Sequence, residues 1–277
     1  HVYSEKPLAA EFDKGLELVK LANEKGLMLG GAPDTFLGAG LETCRRLIDD
    51  GYIGKPIGCA ARMVGHGPES WHPDPEFFYK PGGGPMMDMG PYYLTAMINL
   101  VGSVESVSAM TKKTFAQRTI TSQPHNGEII DVDVNTYIVG NIRFESGAIG
   151  TLFTTFDVYK SENKWIEVYG SEGTLCVPDP NTFGGPVRLY RPGDDGFKDM
   201  PLEFDYADNS RALGLADMAK ALVTGRDFRA SYKQTYHVLE IMESFNKSGD
   251  ERREIPIESH FNKTPIMVRG EVGVIAD

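Results

Sequence analysis

The sequence predicts an α/β opening segment that runs into a larger α+β body, and three observations predict it. The first 31 residues read strand, helix, strand; after Pro56 strands follow one another without intervening helices; and the remaining helical patterns gather at about 89–101, 210–224 and 232–247. A change from alternating to segregated elements marks a change of layer architecture.

Residues 1–7 read as the end of a strand running into a loop. Phe12, Leu16, Val19, Leu21 and Ala22 then recur at helical spacing over 9–25, with Gly26 in the place of a C-terminal cap. The apolar run Leu27 to Gly31 is the next strand, closed by Ala32-Pro33-Asp34, which completes a βαβ unit. A second helix, about 41–50, turns Leu41, Cys44, Leu47 and Ile48 inward and stops at Gly51. Strands are predicted at 57–64, 104–112, 132–144, 148–157, 164–170, 173–178 and 187–191. Tight turns at Glu145-Ser146-Gly147 and at Ser171-Glu172, between Gly170 and Gly173, make the pairing mostly antiparallel. The glycine- and proline-rich stretch 178–201 reads as surface loop.

Composition narrows the function. The 277 residues carry 28 Lys and Arg against 39 Asp and Glu, a formal charge of -11, without a basic cluster, so nucleic acid is not an expected partner. No apolar run approaches the roughly 20 residues of a spanning helix and no leader opens the chain, so the expectation is a cytoplasmic protein without a membrane partner. Cys44, Cys59 and Cys176 are odd in number and set in apolar surroundings, which suits reduced, buried thiols.

Three segments concentrate reactive groups. Lys6, in Glu5-Lys6-Pro7, stands at the carboxyl end of a strand, the edge at which open α/β sheets bind ligands, although a solvated loop residue is the ordinary fate of a lysine. In Gly82-Gly83-Gly84-Pro85-Met86-Met87-Asp88-Met89-Gly90-Pro91-Tyr92 the glycines let the backbone pass close to a ligand or another chain. Asp88 and Tyr92 share a face if the helix has begun by Asp88, with Pro91 best placed in its first turn; the bland alternative is a cap and a packing residue. The loop Gly65 to Pro75 sets His66, Trp71 and His72 before the glycine run, as walls of a binding cleft. His66, His72 and Asp74 lack a spacing fixed by helix or hairpin, and no metal site is expected. His237, on an apolar helix face, reads as a satisfied core imidazole. Gly38-Ala39-Gly40 begins like a dinucleotide fingerprint but lacks its third glycine.

In this order, a strand ending in Glu5-Lys6-Pro7, a βαβ unit, Gly82-Gly83-Gly84 with Asp88 and Gly90 before a helix, and the hairpin Ile166 to Leu175, the chain resembles the glucose-fructose oxidoreductase / inositol dehydrogenase (Gfo/Idh/MocA) family over almost its whole length. The resemblance implies a Rossmann dinucleotide-binding domain followed by a C-terminal α+β domain with a large, mostly antiparallel sheet flanked by helices. It makes 1–35 the second half of the first domain and 36–277 the substrate-binding and dimerisation domain. The glycine-rich phosphate loop and acidic ribose-binding residue of the family precede Glu-Lys-Pro and are absent here, so the chain is expected to lack the first half of its Rossmann domain. Tyr92 stands where the family usually has histidine.

What the resemblance implies for function is hydride transfer between NAD or NADP and a secondary alcohol of a sugar, inositol or related polyol. Lys6, Asp88 and Tyr92 would be catalytic: Tyr92 exchanges the proton, Lys6 orients the hydroxyl and lends positive charge, and Asp88 positions substrate or Lys6. Glu5, Lys6, Pro7, Pro33 and Asp34 would contact the cofactor, and His66, Trp71 and His72 the sugar. A homodimer or homotetramer through the C-terminal sheet is expected. Two alternatives stand beside this: an NAD-dependent glycoside hydrolase or lyase of the same fold, and a non-catalytic binding and dimerisation fragment.

Overall fold

The computed structural model describes residues 1–162 and 165–268. Strand β1 (Val2–Ser4) leads into α1 (Phe12–Lys25) and then β2 (Leu29–Gly31), and the two strands pair in parallel, with Tyr3 opposite Gly30. Helix α1 ends where Gly26 takes φ 62, from which its N–H reaches the Ala22 and Asn23 carbonyls. This is the cap glycine supplies best, because the left-handed conformation costs it nothing. Helix α2 (Ala39–Asp49) follows, burying Leu41, Cys44, Leu47 and Ile48 as its spacing predicts.

The remaining elements are β3 (Pro56–Val64), a 3-10 turn (Glu76–Tyr79), α3 (Gly84–Leu100), β4 (Val104–Lys112), β5 (Gln117–Thr119), β6 (Ile129–Asp131), β7 (Tyr137–Phe144), β8 (Ile149–Thr155), β9 (Trp165–Gly170), β10 (Thr174–Val177), β11 (Val187–Tyr190), β12 (Lys198–Met200), α4 (Leu213–Thr224), α5 (Tyr232–Glu251) and β13 (Ile255–Pro256). Nine strands form one sheet in the order β12-β11-β10-β9-β3-β8-β7-β4-β13. Every pair is antiparallel except β3 with β8.

Alternation along β7 shows how the sheet is used. Ile138, Gly140, Ile142 and Phe144 are buried while Val139, Asn141 and Arg143 are exposed, the period of two that one covered face requires. Helices α3 and α5 cover the inner face, and the paired residues Met110, Val139 and Phe153 form a row across the other. Helix α5 also packs on α1 and β2, so the core is continuous from the βαβ unit to the large sheet. Cys44 and Cys59 are buried, Cys176 is half-buried, and all three are free thiols. Among the described residues no helix is long and apolar enough to cross a membrane.

Several predicted elements are corrected. Helix α3 starts at Gly84, five residues ahead of the predicted 89, and Pro91 lies in its interior instead of its first turn. The missing Pro91 N–H is tolerated because the helix is buried on nearly every side, and packing overrides the local cost. The predicted strand 132–144 begins only at Tyr137, and the unpredicted pair β5–β6 forms a separate two-stranded sheet. Strand β12 lies within the stretch read as loop, β13 was not predicted, and residue 164, the first of its predicted strand, falls outside the described residues.

Candidate active site

The glycine run is built against this chain's own backbone. A Cβ at Gly83 would lie 2.5, 2.8 and 2.9 Å from the carbonyl oxygens of Phe77, Phe78 and Lys80, and Gly82 and Gly84 take φ +86 and +87. Only glycine lets the chain turn this closely out of the 3-10 turn and into α3. The same turn brings Gly82 to Ala10, so the segment that follows Lys6 and the start of α3 lie side by side.

Lys6 crosses this junction. Its ammonium donates to the Asp88 carboxylate at 2.7 Å and to the Asp88 carbonyl at 2.6 Å. Both side chains are mostly enclosed, at 16% and 23% exposure, yet neither is sealed. An ammonium has three N–H donors, so one remains after the two bonds to Asp88. Asp88 therefore does not cap α3, whose N-cap is Gly83; it lies in the second turn and holds Lys6.

Tyr92, one turn further along, presents its ring 5.3 Å from the Lys6 nitrogen. Tyr92 is 7% exposed, and its hydroxyl has no hydrogen-bond partner among the described residues. Arg211, which no sequence signal singled out, places its guanidinium 5.8 Å from the same ring while donating to the Asn181 side chain at 2.8 Å. Thus Lys6 converges with Asp88 and Tyr92, which lie more than eighty positions further along the chain.

The other predicted residues are placed differently. Glu5 is exposed and accepts the Lys6 backbone N–H at 3.1 Å, and Pro7 follows Lys6 half-buried. Pro33 and Asp34 are buried at the end of β2. Asp34 is 3% exposed and accepts the Gly214 N–H at 3.0 Å, so its carboxylate is spent at the start of α4. Burial raises its pKa against the pull of that hydrogen bond.

Among the described residues no hydrogen bond, ion pair or ring contact joins His66, Trp71 or His72 to Lys6, Asp88 or Tyr92. The His66 ring stacks on Tyr159 with centroids 3.8 Å apart, and burial, reinforced by the nearby Arg118 guanidinium, lowers its pKa, which favours the neutral imidazole. Trp71 is 67% exposed and meets His72 and Phe78 edge to face. His72 belongs to a cluster with Phe77 and Phe78, and its Nδ1 accepts the Asp74 N–H at 3.0 Å. His237 is fully buried, with its Nε2 accepting the Val104 N–H at 3.1 Å and its Nδ1 2.8 Å from the Ser259 hydroxyl.

Sequence reasoning missed a second charged cluster. Arg118, on β5, pairs with Glu69 and Asp157, and Tyr79 donates to Glu69. These residues come from four separate segments, and no spacing relates them.

Residues 41–176 match the family described as the GFO/IDH/MocA C-terminal domain. Over those residues the chain carries the C-terminal domain of the GFO/IDH/MocA family. D-xylose dehydrogenase of Paenarthrobacter nicotinovorans is 24% identical over 278 residues, an alignment that takes in 93% of this chain and 71% of that protein. The fold is shared with the NAD binding oxidoreductase from Klebsiella pneumoniae, at a TM-score of 0.77 and 21% identity, over 93% of this chain and 74% of the other. Levoglucosan dehydrogenase in complex with NADH and L-sorbose superposes at a TM-score of 0.76 with 19% identity, over 94% and 74%.

Proposed function

We propose that this GFO/IDH/MocA protein is an NAD(P)-dependent oxidoreductase that moves a hydride between a nicotinamide and a secondary alcohol of a sugar, inositol or related polyol. The observation that carries the reading is the convergence of Lys6 and Asp88, joined at 2.7 Å, on a Tyr92 ring whose hydroxyl has no hydrogen-bond partner among the described residues. D-xylose dehydrogenase and levoglucosan dehydrogenase, both named for sugars, are in keeping with that substrate class.

Removing hydride from a carbinol carbon requires its hydroxyl proton to leave and the developing alkoxide to be stabilised. The unpaired N–H of Lys6 orients the substrate oxygen and lends it positive charge. Asp88 fixes the ammonium with two acceptors, which removes the rotamer freedom a lysine would otherwise lose on binding. Tyr92 gives its hydroxyl proton to the developing alkoxide in the reduction direction, and its phenolate takes the alcohol's proton in the oxidation direction. The residues fit a nicotinamide in one respect: Glu5, Lys6 and Pro7 leave the carboxyl end of a parallel strand, where such sheets take up ligands. Glu5, Lys6 and Pro7 would hold the cofactor there, with Pro33 and Asp34 backing the neighbouring strand end. The cofactor supplies the hydride chemistry.

In this reading residues 1–35 serve the dinucleotide and 36–277 the substrate, with His66, Trp71 and His72 as the sugar wall. The exposed row of Met110 (83%) and Val139 (40%) is offered to a second copy, giving a homodimer or homotetramer through the sheet. A screen of aldoses, inositols and anhydrosugars with NAD+ and NADP+, followed at 340 nm, tests the function. Accumulation of reduced nicotinamide with at least one sugar is expected; conversion of a glycoside without such accumulation would replace this reading by transient oxidation in a hydrolase or lyase.

A further inference from the structure

The Arg118 cluster is a buried, multiply bonded group of charges apart from the Lys6–Asp88 pair. Arg118, Glu69 and Asp157 are 5%, 8% and 2% exposed at their side chains. The guanidinium donates to Glu69 through Nε at 2.7 Å, to Asp157 through Nη1 at 3.0 Å and to the Phe156 carbonyl at 3.1 Å, and also bonds the His66 carbonyl. Glu69 is fixed again by Tyr79, and its own carbonyl accepts the Thr121 and Ser122 N–H groups at 2.8 and 3.0 Å. Thr136 donates to the second Asp157 oxygen at 2.7 Å.

These partners have a common geometry. His66 and Glu69 belong to the loop that leaves β3, Phe156 and Asp157 follow β8, and β3 and β8 are the parallel pair, so both segments emerge at one end of the sheet. Tyr79 closes the 3-10 turn against which Gly83 and the start of α3 pack. One buried arginine thus ties the loop carrying His66, Trp71 and His72 to the sheet end and to the turn that leads into the helix of Asp88 and Tyr92. A loop of eleven residues with five prolines and glycines beside its aromatic rings has no ladder of its own to hold it.

We infer that Arg118 and Glu69 are positioning residues for sugar binding: the pair holds the 65–75 loop in place, so that substrate affinity depends on it while proton exchange at Tyr92 does not. The inference rests on the proposed sugar wall. The test uses Arg118→Lys, which keeps the charge but loses the planar fork, and Glu69→Gln, which keeps volume and one acceptor. Hydrogen exchange by mass spectrometry compares peptides covering 65–75 with peptides of β7, and steady-state kinetics are run with a sugar that the screen identifies.

Both variants are expected to speed exchange in the loop at least tenfold while β7 is unchanged. Arg118→Lys should raise the sugar KM at least tenfold, leaving kcat and the cofactor KM within threefold; Glu69→Gln should do the same more weakly. Unchanged loop exchange in both variants would overturn the positioning role. Faster loop exchange with an unchanged sugar KM would instead overturn the loop's place in the sugar wall. A fall in kcat with KM unchanged would also contradict the inference, since it would place the cluster in the chemistry.

Discussion

Two charged clusters lie at opposite ends of one property, spare hydrogen-bonding capacity. Around Arg118 the guanidinium and both carboxylates are enclosed and multiply bonded. Around Lys6, among the described residues, one ammonium hydrogen and the Tyr92 hydroxyl are left over, and both side chains of the ion pair keep some exposure. A fully satisfied buried network rigidifies what it touches, whereas a pair with an unfilled valence can receive something. The difference separates holding from reacting.

Breaking each cluster should sharpen that distinction. The largest effect is expected from Lys6→Met, which removes the charge beside the reacting oxygen: turnover should fall about 10³-fold, with a melting temperature close to that of the parent, because the pair is partly solvated. A second measurement, thermal or urea unfolding of Arg118→Met, should show the reverse. Leaving Glu69 and Asp157 buried without their partner should cost about 3–5 kcal/mol of stability. If Lys6→Met lost stability on that scale and Arg118→Met did not, the contrast between the clusters would be inverted.

Buried titrating groups outside both clusters set the pH dependence of stability. Glu42 of α2 is enclosed and accepts the Met267 N–H at 2.8 Å; burial pushes its carboxyl up from 4.5 to about 7 despite that bond. A raised folded pKa means that this contribution is complete below about 4.5 and is lost as pH rises through about 7. Glu42→Gln should flatten that decline, amounting to about 3 kcal/mol at most, in urea midpoints measured between pH 4 and pH 8. His237 works in the opposite direction. Burial lowers its pKa from 6.5 to about 4, so its contribution is complete above about 6.5 and is lost as pH falls through about 4. His237→Gln should remove a loss on the acid side no larger than that of Glu42, read from the same titration below pH 6.5.

Much of the architecture is legible because it is written in local pattern. The turn at Glu145-Ser146-Gly147 places Gly147 at φ +85, and the alternation in β7 declares its covered face. The early start of α3 was not legible, since Gly82 to Pro85 reads as a breaker until the carbonyls of Phe77, Phe78 and Lys80 are seen to enclose Gly83. Strands β5, β6 and β13 have two or three residues each, too few for a period to show. The parallel register of β3 with β8 joins positions about ninety apart, and no local signal encodes it.

The candidate site divides in the same way. Lys6, Asp88 and Tyr92 could be singled out because each lies in a motif with turn or helix spacing. Arg211 and Arg118 could not, because each acts on residues from distant segments and neither lies in a patterned stretch. Asp34 shows a partner that the sequence does not reveal. Its place at a strand end suggests a ligand, and the structure adds the Gly214 N–H, 180 positions away, as a donor to its carboxylate.

The most direct measurement is the turnover of Tyr92→Phe with a sugar identified in the nicotinamide screen, alongside its melting temperature. Loss of the free hydroxyl should lower kcat at least 100-fold, with the sugar KM within a few fold and folding intact. A Tyr92→Phe protein that turns over at the parental rate would contradict proton exchange at this residue and leave the Lys6–Asp88 pair without the chemistry assigned to it.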